Sequence, residues 1–574
     1  MSIETVKSEY SIRKQDILFG MVAIFVLGIM IWKCPFGYGG NDEAFYLTIP
    51  HRLTKGDALL SQEWHLSQLG GFLLYPLVKI YLWMVGTTDG IILNFRYLYV
   101  LFQGMVTVVL YYHLRKYQIG GVVASLLFLI FCPYDIMAIC YNTMGLASVA
   151  LISVILGTME VFRKKRIIIS GMLLAVSILC NPYMLIVYGM YIIVVLGFII
   201  VKKKHVAFSL QSFCYLTMGA GVVAVLFLTF VLSRANMGDI MKNLPLMLQD
   251  PEHKTQSFKW IIYLYVDSFR QIYKYFLLVW MILLAMICLD KGRIKRRAWY
   301  FSIMAVSVVW CILGFVPTMN ASYNFIMVPI GFAGLVAFLL TNHKNSNLFI
   351  WGWILGVCYS FAMNASSNQA MYAISMAFPV VAITSVILIS EFLKEYLEEY
   401  NNDRNIAKNI LIGTISLLFI VQLFTQVAVK ISHTFWEPSI KNLTAVMEDG
   451  PKSGLRTTPE KQKEYQQLIE DLKAYQGKSG TILFFTESTW CYLYVDMDYG
   501  TFSAWSSLTW IDEKTEDIMG RWLSYYKAHP EKIPDYIYVP RLERKMEELE
   551  QLTNHYEYTM TETAVGYHLR RQQN

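Results

Sequence analysis

The chain has 574 residues, of which 55% are hydrophobic and 16% are charged, and its formal net charge is +7. A soluble protein carries about 25% charged residues and cannot hide so many apolar side chains in its core, so a wholly water-soluble protein is excluded. The positive charges stand in short clusters between apolar blocks, a pattern that membrane topology explains better than nucleic-acid binding.

The apolar residues form uninterrupted blocks of about 17 to 25 residues, the length that a helix needs to cross a bilayer. The first block, 17–36, follows a basic N-terminus and lacks a small-residue cleavage site, so we expect a retained anchor. The blocks predict about 13 spans. In chain order they lie near residues 16–36, 93–113, 119–138, 142–161, 167–181, 183–202, 206–232, 273–290, 298–317, 325–341, 348–364, 372–393 and 408–429.

The orientation follows from the basic clusters, which prefer the cytoplasmic side of a membrane. Four clusters fall on one side of this threading, at residues 113–116, 163–166, 202–204 and 291–297. We therefore expect a multi-pass protein of the cell (plasma) membrane with a cytoplasmic N-terminus. The loops 37–92 and 233–272, and everything after about residue 430, would then lie outside.

The tail after residue 431 becomes charged and loses the long apolar blocks. Its patterns predict a helix at 458–475, a strand at 481–486, a helix at 516–528, a strand at 535–540, a helix at 542–552 and a strand pair at 556–570. The predicted fold is thus a polytopic α-helical membrane module, residues 1–431, followed by a small extracytoplasmic α/β domain, residues 432–574.

The first outer loop, 37–92, carries the adjacent carboxylates Asp42 and Glu43. Acids so close to a membrane surface are costly without a partner or a task, although acids in an outer loop are often simply solvated. We expect residues 44–53 to form a short helix along the interface, bent or shortened at Pro50, with its apolar side chains toward lipid and its C-terminal His51 and Arg52 reaching headgroups. The apolar stretch 69–85 is expected to be a second, re-entrant or interfacial helix.

The spacing of this loop is specific. Asp42-Glu43 is followed by Tyr46, by Leu53, Gly56 and Asp57, by an apolar stretch ending at 82–86, and by Asn94-Phe95-Arg96. This series resembles the GT-C membrane glycosyltransferases, most closely the protein O-mannosyltransferase and aminoarabinose (lipid A) transferase group of glycosyltransferase families 39 and 83. The likeness covers roughly residues 15–115. The acidic-Lys-Pro step of the aminoarabinose enzymes is absent from residues 62–71, which leaves the donor sugar and the acceptor open.

The resemblance implies a GT-C fold and an inverting transfer of a sugar from a polyprenyl-phosphate donor to a hydroxyl of a lipid, a protein or a cell-wall glycan at the outer face. Asp42 matches the acid of the family and is expected to act as the base, with Glu43 orienting it and Tyr46 packing or hydrogen-bonding nearby. Cationic side chains should converge on the leaving phosphate. The candidates are Arg52, His65 and Arg96, and, in the second large loop, His253 and Lys254.

No cofactor is implied, and a divalent cation beside the two acids is left open because no His/Asp ligand spacing demands one. The nine cysteines contain no C-x-x-C pair, so neither a disulfide framework nor a thiolate zinc site is supported. Three other functions are compatible with the composition: a transporter or flippase of lipid-linked glycans, a receptor or scaffold working through its tail, and a glycan polymerase or ligase. Span centres nearly free of ionisable residues disfavour the transporter.

Overall fold

The computed structural model describes residues 14–572 except 203–204, 250–256, 319–322, 343–344, 368, 401–405, 435–436, 506–514 and 542–545. The chain first forms a helical bundle and then a small domain with a mixed sheet. The helices of the first part are α1 Lys14–Lys33, α2 Gly40–Thr54, α3 Gly70–Val85, α4 Ile91–Leu114, α5 Ile119–Ile130, α6 Tyr141–Gly157, α7 Lys164–Cys180, α8 Met184–Ile200, α9 Leu210–Leu232, α10 Met237–Met247, α11 Phe258–Leu289, α12 Arg293–Gly314, α13 Val328–Leu340, α14 Ser346–Ala365, α15 Met371–Glu399 and α16 Ile406–Ser432.

A helix lies at each of the predicted span positions, and α2, α3 and α10 lie between them. Eight of the described helices are long and apolar enough to cross a membrane: α1, α4, α9, α11, α12, α14, α15 and α16. The prediction of a polytopic helical membrane protein is confirmed. The largest difference in boundaries is at α11, which begins at Phe258 and is interrupted at Lys274, where the span was predicted to start.

The core of the bundle surrounds α15. In the most apolar 18-residue stretch of this helix, 94% of the residues are buried inside the protein. It packs against α13, α14 and α5, and glycines allow the close approach: a Cβ at Gly334 would meet the side chain of Ser385 at 2.1 Å. Small residues at such crossings let helices pack tightly where lipid offers no hydrophobic driving force.

The two ends of the bundle carry different elements. At one end lie the ion pairs Lys116–Glu160 and Arg297–Glu395, each of which includes a residue of a predicted cytoplasmic cluster. At the other end lie α2, α3 and the C-terminal domain, and we call this the domain end.

The C-terminal domain begins with a short hairpin, β1 Ala445–Val446 and β2 Arg456–Thr457. A five-stranded sheet follows in the order β4-β3-β5-β7-β6, in which β3 is parallel to β4 and β5, and β7 is antiparallel to β5 and β6. These strands are β3 Thr481–Phe484, β4 Asp498–Tyr499, β5 Tyr536–Pro540, β6 Tyr558–Glu562 and β7 Gly566–Arg571, and the helices are α17 Pro459–Leu472, α18 Cys491–Tyr494, α19 Thr515–Ala528 and α20 Met546–His555. The predicted small α/β domain is confirmed.

This domain lies directly on the first loop. The backbone N–H of Trp64 donates to the carbonyl of Phe502 at 2.8 Å, and the Trp64 indole, which is fully buried, meets the Tyr525 ring edge-on at 5.0 Å. All residues of α2 from Glu43 to Leu53 are buried. The expectation that α2 turns its apolar side chains toward lipid is therefore wrong: they pack into a protein core, and the helix continues through Pro50 to Thr54.

Candidate functional site

The two acids of the first loop lie in the first turn of α2, where they have different surroundings. Glu43 is buried and forms a bidentate ion pair with Arg96 of α4. The Nε of Arg96 is 2.5 Å from Oε1 of Glu43, and a terminal nitrogen of Arg96 is 2.7 Å from Oε2. The backbone N–H of Gly39 also donates to Glu43 Oε2, at 2.8 Å. A two-pronged contact between a guanidinium and a carboxylate fixes orientation as well as distance, so Glu43 is held in one position.

Arg96 also gathers the chain that joins α1 to α2. Its terminal nitrogens donate to the carbonyls of Cys34, Phe36 and Gly37 at 2.6 to 3.1 Å. The side chain is buried, and these bonds together with Glu43 occupy its guanidinium. Arg96 thus holds Glu43 and the preceding turn in place. The sequence had instead predicted a contact between Arg96 and phosphate.

Asp42 is partly exposed, in contrast to Glu43. Its carboxylate is close enough to Tyr46, Tyr134 and Tyr141 to interact with all three phenols electrostatically. Burial, together with the charge of Asp42, raises the pKa of Tyr46 well above its usual value, so this phenol keeps its proton. The Tyr46 and Tyr141 rings meet edge-on at 5.4 Å. Asp42 therefore lies among protonated phenols at the domain end.

Behind Glu43 the protein leaves little space. The cavity there has a volume of about 10 Å³ and is lined by Glu43, Tyr46 and Arg96 and by apolar side chains of α4 and of the chain before α6. A volume of this size holds about one water molecule.

The segment next to Asp42, between α5 and α6, has an unusual backbone. Tyr134 and Asp135 have φ angles of 53° and 57°, which disfavour residues other than glycine and cost of order 1–3 kcal/mol each. The surroundings hold this conformation, since Asn324 accepts the backbone N–H of Tyr134 at 3.2 Å. Asp135 pairs with Lys33, at the end of α1, and with Lys430, at 2.9 Å near the end of α16.

This trio carries one more positive than negative charge and is almost entirely buried, with side-chain exposures of 0% for Lys33, 3% for Lys430 and 7% for Asp135. Sequence reasoning did not single out the two lysines, because a lysine at the end of a span is commonly an interfacial anchor. Their partner is 102 and 295 residues away in the chain, and no local pattern connects them.

Arg52 is also tied to other residues. Its side chain is fully buried and donates to Asp57 at 2.6 Å, to Glu63 at 3.0 Å and to the phenol oxygen of Tyr525 at 2.9 Å. Lys532 of the C-terminal domain pairs with the second oxygen of Asp57. Arg52 was expected to reach lipid headgroups or phosphate; it instead joins the first loop to the C-terminal domain.

The pKa values of the two carboxylates around Arg52 are shifted in opposite directions. Burial alone would raise the pKa of Asp57, but Arg52 and Lys532 outweigh it and hold this pKa below its usual value. Burial does raise the pKa of Glu63, against the opposing effect of Arg52. Burial lowers the pKa of the neighbouring His51 to about 3, so this ring is neutral where its Nδ1 meets the Tyr499 hydroxyl at 2.9 Å.

His65 is partly exposed and lies edge-on to Phe45 at 4.6 Å. Its Nδ1 accepts the backbone N–H of Ser67 at 3.1 Å, so the proton of the neutral ring is on Nε2. His253 and Lys254 lie outside the described residues. Within the described part of the chain, no group of three or more His, Cys, Asp or Glu residues could hold a metal ion.

No family model matches the sequence, and no curated protein matches it. Among solved structures, the chain is similar to the Archaeoglobus fulgidus oligosaccharyltransferase in complex with Zn and sulfate, with 12% identity, a TM-score of 0.45, and coverage of 95% of this chain and 72% of that chain. It is also similar to the archaeal oligosaccharyltransferase AglB from the same organism in complex with an inhibitory peptide and a dolichol-phosphate, with 11% identity, a TM-score of 0.45, and coverage of 97% and 74%.

Proposed function

We propose that this chain is a GT-C-type glycosyltransferase that moves a sugar from a polyprenyl-phosphate donor to an acceptor hydroxyl at the domain end, with Asp42 as the base. The observation that carries the proposal is the unequal pair in the first turn of α2: Glu43 is buried and locked by Arg96, while its neighbour Asp42 is partly exposed among phenols. Two adjacent carboxylates with different surroundings can take different roles. Glu43 then fixes the turn, and Asp42 meets the acceptor.

In the proposed step the acceptor oxygen attacks the anomeric carbon while Asp42 takes the hydroxyl proton. The bond between that carbon and the phosphate oxygen breaks, and its electron pair leaves with the polyprenyl phosphate. Positive charge near the leaving oxygen lowers the barrier. Arg52 and Arg96 are occupied by other partners, so we assign this role to the surplus charge of Lys33, Asp135 and Lys430, with the Nε2–H of the neutral His65 ring as a further hydrogen-bond donor.

The distribution of charge along the helices supports surface chemistry over transport. Charged residues of the eight long apolar helices lie toward the helix ends, or at or before the interruption of α11 at Lys274. A transporter needs substrate-binding groups near the middle of the membrane. We further propose that the domain end faces outward in a plasma membrane, with the N-terminus in the cytoplasm. Protease added to intact cells should then cleave the C-terminal domain.

The test uses purified protein in liposomes with a panel of polyprenyl-phosphate hexoses and pentoses and an extract of envelope lipids, proteins and glycans as acceptors. Release of polyprenyl phosphate is measured, so the acceptor need not be known. A general base contributes roughly 10²–10⁴-fold, so Asp42→Asn should lower turnover at least about 100-fold without loss of folding. Asp496→Asn is the matched control, since this side chain is 91% exposed and belongs to the same end. Normal turnover by Asp42→Asn would refute the assignment, and a wild-type protein that consumes no donor would refute the function.

A further inference from the structure

A buried lysine of the C-terminal domain lies against the turn that leads into α2. Lys452 belongs to the loop between β1 and β2, and two backbone bonds fasten this loop to the start of α4: Gly90 N–H to the Gly450 carbonyl at 2.9 Å and Ile92 N–H to the Pro451 carbonyl at 3.3 Å. The side chain of Lys452 is directed inward, and the residue is 8% exposed. Lys452 is therefore placed by the backbone and not by a chance surface contact.

The ammonium of Lys452 lies among three aromatic rings. Its nitrogen is 3.8 Å from the centroid of Tyr38, 4.9 Å from that of Trp490 and 5.1 Å from that of Tyr465. The face of an aromatic ring attracts a cation, and the attraction grows when water is removed. Tyr38 belongs to the first loop and the other two rings belong to the domain, so the cation joins the two parts.

Among the described residues, no carboxylate forms an ion pair with Lys452. The acids that act on it from nearby are Glu437, which pairs with Lys461 at 3.0 Å, and Glu43, which pairs with Arg96. The ring faces are thus the close contacts of this charge. The Tyr38 hydroxyl is buried without a hydrogen-bond partner in the described part of the chain, so no hydrogen bond from this hydroxyl adds to the contact of its ring with Lys452.

Tyr38 connects this contact to the proposed site. The next residue, Gly39, donates its N–H to Glu43, and the preceding residue, Gly37, accepts from Arg96. On the domain side, the hydroxyl of Thr489, next to Trp490, donates to the carbonyl of Asn41 at 2.9 Å. The rings that hold Lys452 therefore border both ends of the turn that presents Asp42.

We propose that Lys452 is a positioning residue of the transfer site: its ammonium holds Tyr38 against the C-terminal domain and thereby fixes the turn 37–43 that carries Asp42. This inference rests on the proposed function for its catalytic consequence, but the fixing of the turn can be measured without any substrate. It also gives the C-terminal domain a task within the site.

The contact depends on pH. Burial lowers the pKa of Lys452 to about 7, so the ammonium is present below this pH and lost above it. The groups that face it are Tyr38, Tyr465, Cys491, Glu437, Lys461 and Glu43. Burial raises the pKa of Tyr38 and of Tyr465, so neither phenol ionises in this range. Between pH 7 and the unfolded value of 10.5 the unfolded chain binds more protons, so folding stability from this group rises with pH. A fall in transfer over the same range is therefore not explained by an effect of Lys452 titration on folding stability.

The experiment compares Lys452→Met, Lys452→Arg and the matched control Lys478→Met, since Lys478 is an exposed lysine of the same domain that also lies over two tyrosine rings, at 5.1 and 5.3 Å. Amide exchange of the peptide covering residues 37–46 is measured at pH 6 and 8.5, corrected for the intrinsic rate. Release of polyprenyl phosphate is measured over the same pH range.

We expect Lys452→Met to exchange at least about tenfold faster in 37–46 at pH 6 and to lower kcat about tenfold with KM changed less than twofold. Lys452→Arg should restore both values and keep them at pH 8.5, where the wild type loses them, and Lys478→Met should match the wild type. Unchanged exchange in Lys452→Met would overturn the inference, as would a change in KM alone, which would indicate contact with substrate. If the wild type consumes no donor, the function fails while the exchange measurement still decides the positioning.

Discussion

The buried charges between the first loop and the C-terminal domain give the sharpest prediction about stability. Asp57 neutralises Arg52 on one oxygen and Lys532 on the other. In Asp57→Asn both cations stay buried with Glu63 as the remaining carboxylate, so one positive charge loses its partner. Removing one member of a buried pair costs about 3–5 kcal/mol, because the other charge remains away from water.

For a domain of this size, each kcal/mol lowers the Tm by roughly 2–4 °C, so Asp57→Asn should unfold about 10 °C below the wild type. Thermal unfolding of the full chain in lipid nanodiscs, followed by tryptophan fluorescence, measures this, because Trp64 and Trp522 are fully buried at this end. Asp496→Asn is the control: it removes a pair of the same interface in which the aspartate is 91% exposed, and exposed pairs contribute at most about 1 kcal/mol. Equal Tm values for the two variants would refute the claim that the buried cluster fixes the domain.

Two further changes test the packing. A Cβ at Gly171 would meet a backbone carbonyl oxygen of α9 at 1.9 Å, so Gly171→Ala should separate α7 from α9. The yield of monodisperse protein in size-exclusion chromatography should then fall several-fold. Gly189→Ala is the control and should match the wild type, because a Cβ there would have no atom within 4 Å. Tyr525→Phe removes the hydroxyl to which Arg52 donates a hydrogen bond, and this should cost about 1.5–3 kcal/mol of stability. The Tm in the same fluorescence assay should fall by several degrees. An unchanged Tm would mean that water replaces this bond.

The parts of the fold that the sequence predicted well are those with a local cause. A span requires a continuous apolar block, and an amphipathic helix or a longer strand has its own period, so most helices of the bundle and the longer elements of the tail lie close to their predicted bounds. The start of α11 and the short elements β1, β2, β4 and α18 were not predicted. The unequal acids were found for a similar reason, because Asp42 and Glu43 are neighbours in a spaced motif.

The error at α2 has a physical origin. Phe45, Tyr46 and Ile49 are apolar, and an apolar face has the same sequence pattern whether it meets lipid or a protein core. The deciding contacts come from the C-terminal domain, more than 400 residues away: Tyr499 meets His51 across 448 positions, and Tyr525 meets Arg52 across 473. No window of the sequence contains both partners.

Partners that are distant in the sequence also decide what a charged residue does. Arg52 and Arg96 are of the residue type expected of a phosphate-binding group. Each, however, is buried and forms an ion pair with a carboxylate, which offsets the cost of removing its charge from water. Breaking such a pair would leave a buried charge without its partner, so neither guanidinium is easily released for a substrate. Asp42 is partly exposed while its neighbour Glu43 is held by Arg96, and this contrast, more than the presence of acids in a loop, is the reason that we propose Asp42 as the base.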